Sequence, residues 1–160
     1  MMLRTVLTGL ALGAATTTAG MALAPPAQAA GWTCGSWQHK EFATSGFNTD
    51  VDIRFCVKRY TTAHAGFAEI KWRDGAGVKK FDNFDVRIRL ERYDSNYDST
   101  ACSYESAINL YESNERECSG LYSSSSRSGG WSVDGYVAYD YDADGEGGKT
   151  WSLRGTGLIS

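Results

Sequence analysis

Proline is missing from the whole stretch 27–160; the chain's two prolines, Pro25 and Pro26, stand side by side near its start. A strand anywhere in that stretch therefore keeps every ladder N–H donor. Charge of one sign is lacking too. The chain has 16 basic against 19 acidic residues, a net charge of −3 without a basic run, so a phosphate backbone finds no electrostatic footprint and nucleic acid is not an expected partner. After residue 29 no apolar segment approaches spanning length, so no membrane span is expected there. There is no N-x-S/T acceptor for a glycan, no C-x-x-C spacing for zinc, and no G-x-S-x-G elbow for a serine nucleophile. Histidine is scarce: His39 and His64 are the only imidazoles, and both read as solvated positions on a sheet surface rather than catalytic bases. Paired carboxylates for glycoside hydrolysis could be drawn from many Asp and Glu residues, and sequence does not give their separation. The expectation is a protein that is not an enzyme.

What is present begins with residues 1–29. Arg4 is the only charge there and precedes an apolar run from Val6 to Leu23, followed by Pro25-Pro26 and Ala27-Gln28-Ala29. A positive start, an apolar middle and an A-x-A end predict a secretory signal peptide, with residues 30–160 as one secreted domain. All four cysteines, Cys34, Cys56, Cys102 and Cys118, lie in that domain, and an even count in an exported chain reads as disulfides. Three pairings are possible. Cys34–Cys56 and Cys102–Cys118 are favoured because neighbours in sequence close the shortest loops, each worth about 3 kcal/mol by restricting the unfolded chain.

Period-two alternation marks the strands. Val51, Ile53, Phe55 and Val57 alternate with Asp52, Arg54, Cys56 and Lys58; Phe84, Val86, Ile88 and Leu90 alternate with Asp85, Arg87, Arg89 and Glu91. Ala68, Ile70 and Trp72 form a weaker stripe, and further strands are expected at 36–42, 131–141 and 151–159. Asp94 to Thr100 reads as a polar loop and Ser123 to Gly130 as a flexible Ser/Gly loop. Between Cys102 and Cys118, Ser103 to Glu117 favours two helical turns with Ser103 as N-cap, a strand being the alternative. The fold class is all-β: an antiparallel β-sandwich of six to seven strands, with one short helix and two disulfides. An immunoglobulin domain is rejected because Cys56 shares the parity of the charged face, so its bridge fastens the outside of a sheet.

Gly129-Gly130-Trp131-Ser132-Val133-Asp134-Gly135-Tyr136, then Asp142-Ala143-Asp144-Gly145 and Trp151-Ser152-Leu153-Arg154-Gly155, together with Cys102, Cys118 and the leader, resemble a diffuse group of small secreted actinobacterial proteins. The resemblance implies export and a β-rich fold and carries over no site residues.

Two candidate sites follow from the residues. Asp140, Asp142 and Asp144 before Gly145 space carboxylates as a Ca²⁺ loop does, although the twelfth position is Trp151, where a bidentate Glu is required, so a solvated hairpin is the favoured reading. Tyr60, Tyr93 and Tyr136 stand opposite the apolar stripes, where aromatic rings can stack on sugars or anchor an interface, although covering the disulfides or packing under loops is the favoured reading. The functional expectation is a binding module for cell-wall or environmental glycan. The alternatives are an inhibitor of an extracellular hydrolase, working through a loop at Asn114 to Gly120, and a calcium-stabilised structural protein.

Overall fold

The computed structural model describes residues 31–160, so the expected leader at 1–29 lies outside the described residues. Nine strands and one helix follow in the order β1 Thr33–Cys34, β2 Gln38–Phe42, β3 Thr49–Arg59, β4 His64–Arg73, β5 Phe81–Arg92, β6 Ser95–Ser103, α1 Glu105–Leu110, β7 Asn114–Ser123, β8 Trp131–Tyr141 and β9 Lys149–Leu153. They build two antiparallel sheets. One, sheet A, runs β1-β3-β4-β7 with β2 also on the free side of β3; the other, sheet B, runs β6-β5-β8-β9. The chain is all-β, as its alternating stripes require.

The core lies between the sheets. Val51, Ile53, Phe55 and Val57 of β3 and Ala68, Ile70 and Trp72 of β4 meet Phe84, Val86, Ile88 and Leu90 of β5 and Val133, Val137 and Tyr139 of β8, all buried. Burying each large side chain stabilises the fold by about 1.5–3 kcal/mol. Phe42 of β2 is the hub of an aromatic cluster, edge-on to Phe81, Phe84 and Tyr139 with ring centroids 5.4, 5.5 and 4.9 Å away.

The strand count exceeds the sequence expectation because edge strands lack alternation. Ser95 to Thr100, read as loop, belongs to β6, which pairs only with β5 and needs no apolar stripe of its own. Ser103 to Glu117 divides instead of choosing one state: α1 is six residues long, and β7 starts at Asn114. Its N-cap is Tyr104, not Ser103, without a side-chain capping bond. Asn109 docks the helix instead. Its Oδ1 accepts from the N–H groups of Lys80 and Phe81 at 2.8 and 3.1 Å, and its Nδ2 donates to the Phe81 carbonyl at 2.9 Å. The last expected strand stops at Leu153. Gly155 follows, where a Cβ would stand 2.9 Å from that of Asp134, and Ile159 returns only for a single bridge to Trp131.

Both sequential disulfides are formed, and they do different work. Cys34–Cys56 joins directly opposed residues of β1 and β3 on the outer face of sheet A, as the parity of Cys56 requires. Cys102–Cys118 joins β6 to β7 and so links the edge of one sheet to the edge of the other. On the opposite side, Gln38 of β2 and Arg154 exchange hydrogen bonds: Gln38 Nε2 donates to the Arg154 carbonyl at 2.8 Å, and Arg154 N donates to Gln38 Oε1 at 2.5 Å. No helix among the described residues is long and apolar enough to cross a membrane.

Candidate functional site: the outer face of sheet A

Outward positions of β3 and β4 carry ions at one end of the sheet; at the other, Phe67 of β4 is joined by rings from β7 and from the segments flanking the strands. At the ionic end the partners match. Arg54 pairs with Glu69 across the two strands, Lys71 with Glu115 at 3.3 Å, Arg73 with Asp50 at 3.3 Å, and His39 lies 3.4 and 3.1 Å from Asp50 and Asp52. Exposed pairs of this kind contribute about 0–1 kcal/mol each; their main effect is to give each of the cations Arg54, Lys71 and Arg73 a carboxylate partner.

Trp37 begins the aromatic half, with Arg54 Cζ and Lys71 Nζ each 4.6 Å from its ring centroid. Phe67, opposite Cys56 in register, stands edge-on to Trp32 at 4.7 Å. Lys58 Nζ lies 5.7 Å from the Trp32 ring and 5.0 Å from the Tyr60 ring. Ala65 separates Lys58 from Tyr122, because it pairs with Lys58 on one side and with Tyr122 on the other. A small residue between two large ones makes a trough about 10 Å wide, two strand spacings. Trp32, Trp37 and Phe67 are half-buried, while Tyr60 and Tyr122 are 44% and 57% exposed. These five rings are separate from the core set of Phe42, Phe55, Trp72, Phe81, Phe84 and Trp131.

The three tyrosines expected to bind ligand are not brought together. Tyr60 joins the band just described. Tyr93 sits in the β5–β6 turn of sheet B at φ 46°, under the Arg92 guanidinium, 4.9 Å from its ring, with Gly130 against it. Tyr136 stands on the outer face of sheet B between two shallow hollows of about 390 and 430 Å³, which share it and Arg89 as walls. Arg89 there holds Asp134 with two parallel hydrogen bonds of 3.0 and 3.1 Å, and also reaches buried Glu91 at 3.2 Å. Burial first, and the neighbouring Asp134 second, raise the Glu91 carboxyl above its ordinary range. The other four rings of the sheet A band were missed because a count of aromatics assigns them to the core. Parity was the available signal, since Phe67 opposes the Ala68–Ile70–Trp72 stripe and Tyr122 follows buried Leu121.

Asp140, Asp142 and Asp144 do not converge. Asp144 pairs with Lys149 at 3.1 Å, Asp142 pairs with Lys79 at 3.3 Å, and Asp140 lies within β8 opposite Asn83. Among the described residues no group of three or more His, Cys, Asp or Glu is placed to hold a metal. The Glu146 N–H and the Lys149 ammonium hold the Asp144 carboxyl below the usual range. Asn114 to Gly120 is strand β7, not a loop. His64 is no surface residue either. It shares the inward parity of Ala68, is fully buried and stacks on Trp131 at 4.0 Å and 11°. The Ser123–Gly130 loop is tied down: Ser125 and Gly129 carbonyls accept from His64 Nδ1 and Arg92 Nε, and Trp131 Nε1 donates to the Arg127 carbonyl.

No protein-family model, curated protein or solved structure matches this chain.

Proposed function

We propose that the protein is an exported binding module for glycan, and that the ring band on the outer face of sheet A is the surface it uses. One observation carries this reading: five aromatic side chains share an uncovered sheet face although the core has its own complement. Aromatic side chains present large, rigid apolar faces at low entropy cost, which suits the flat apolar face of a sugar ring. The sheet holds them at fixed spacing, so little ordering is needed on binding. Two disulfides are compatible with a stable extracellular fold and with the leader-like start of the chain. The test is retardation of the purified protein in gels containing a panel of soluble polysaccharides, with pull-down on insoluble ones. Trp32→Ala with Tyr122→Ala should weaken binding at least tenfold with an unchanged melting temperature. Absence of retention by every polysaccharide removes the reading.

A second reading, a protein-binding inhibitor, is favoured by Phe47. Its loop is pinned by Thr44 Oγ1, which donates to the Phe47 carbonyl at 2.9 Å, and by buried Lys80, whose ammonium donates to the carbonyls of Ser45 and Phe47. The phenyl ring is left 82% exposed beside a cleft of about 430 Å³. Inhibition of a secreted hydrolase that disappears in Phe47→Ala would support this function; full activity of a broad panel of such enzymes with the protein present opposes it.

A further inference from the structure

The outer face of sheet A is unevenly charged in a way that specifies its ligand. At the ionic end the cations Arg54, Lys71 and Arg73 each have a carboxylate partner. At the aromatic end Lys58 has none among the described residues. No carboxylate stands on that half of β1, β3 or β4: its outward positions are Trp32, Cys34, Cys56, Lys58, Ala65 and Phe67. On β7, the neighbouring strand, Glu117 stands at the ionic end opposite Glu69, and Asp98 of β6 in the other sheet accepts from the N–H groups of Tyr122 and Ser99 at 2.8 and 2.9 Å.

Lys58 is also held in place. Gly31, at φ 92°, packs against its stem so closely that a Cβ there would come within 3.0 Å of Lys58 Cε. Trp32 and Tyr60 flank the ammonium. Rings beside a fixed cation that has no ion-pair partner, at the end of the face where β3 and β4 carry no outward carboxylate, favour a ligand that carries an apolar ring face and a negative charge together.

Resting on the glycan reading above, we propose that the polymer bound is acidic, a polysaccharide bearing carboxylate or phosphate. Lys58 receives the anion while Trp32, Tyr60 and Tyr122 hold the neighbouring sugar rings. Charge complementarity then selects the polymer, and the rings give register along it.

Affinity electrophoresis of the purified protein tests this with polygalacturonate, its neutral methyl ester, a phosphomannan and poly-glutamate as probes. Retardation by at least one acidic polysaccharide should exceed that by the methyl ester at least tenfold. It should fall with added salt, and Lys58→Met should reduce it about tenfold while leaving melting unchanged. Whichever of polygalacturonate and phosphomannan is retained identifies the anion as carboxylate or phosphate. Equal retention of ester and acid, with Lys58→Met silent, overturns the acidic ligand and leaves glycan binding standing. Poly-glutamate retained as strongly as the acidic polysaccharides overturns it too, because the rings would then add nothing. Failure of all four probes together with every neutral polysaccharide overturns both proposals.

Discussion

His64 and Tyr104 each bury a polar atom that has no hydrogen-bond partner, His64 Nε2 and the Tyr104 hydroxyl. His64 Nδ1 lies 3.2 Å from the Ser125 carbonyl, so it carries the proton and Nε2 remains a bare acceptor against the core. Burial, aided by repulsion from Arg59 and Arg92 and opposed by the Ser125 carbonyl, lowers its pKa below 6.5. The unfolded chain therefore takes up this proton before the folded one does. The contribution of His64 is fully present above pH 6.5 and is lost as pH falls towards the lower folded value. Melting temperature should drop over that range more steeply in the wild type than in His64→Phe, which keeps a ring on Trp131; parallel profiles would show that His64 does not titrate on unfolding. Glu91 runs the other way, since a raised carboxyl favours the fold at low pH. Burial pushes the Tyr104 hydroxyl up to about 12, so it is neutral throughout. Removing an unsatisfied buried hydroxyl releases its desolvation penalty, about 1 kcal/mol. Tyr104→Phe should hold or raise the denaturant midpoint, and a fall of that size would mean that the hydroxyl has a partner.

At the scale of elements, the β5–β8 pair is the centre of sheet B, and Gly135 is its closest approach. A Cβ there would collide with the main-chain carbonyl of Arg87 on β5. Gly135→Ala should therefore cost about 2–3 kcal/mol in chemical denaturation, the range for forcing atoms into a packed interior. Gly145→Ala should cost less, because nothing lies within 4 Å of that added carbon. Equal losses would show that backbone freedom, not the contact, sets the cost. The central strands were legible in the sequence because Val51 to Val57 and Phe84 to Leu90 each have one buried and one wet face. Strands β6 and β7 were not, because an edge strand has one partner and tolerates polar residues at both parities. His64 was misread because Gly66 breaks the stripe that runs on through Ala68. The site was only partly legible: parity exposes Tyr60 and Phe67 one strand at a time, while the trough over Ala65 exists only once β3, β4 and β7 are set in register.

For the molecule as a whole, the two bridges should differ in consequence although their loops, 22 and 16 residues, are similar in length. Loop entropy assigns each about 3 kcal/mol. Cys34–Cys56 fastens a two-residue strand to the outside of one sheet, whereas Cys102–Cys118 is the covalent tie between sheets. Replacing Cys102 and Cys118 by Ser should lower stability by about 3 kcal/mol and broaden the thermal transition, read by calorimetry. Replacing Cys34 and Cys56 should give a similar loss with the transition still sharp and, because Trp32 adjoins the bridge, weaker ligand retention. Identical transitions in the two variants would deny the inter-sheet bond any special part in cooperativity. The opposite flank has the Gln38–Arg154 exchange, a hydrogen bond from Lys40 Nζ to the Tyr139 hydroxyl at 3.0 Å and side-chain packing, with no disulfide among the described residues. Warmed, the molecule should open as a book does, its spine at the sulfurs and its fore-edge at β2 and β9, with β9 amides exchanging for deuterium well before those of β5.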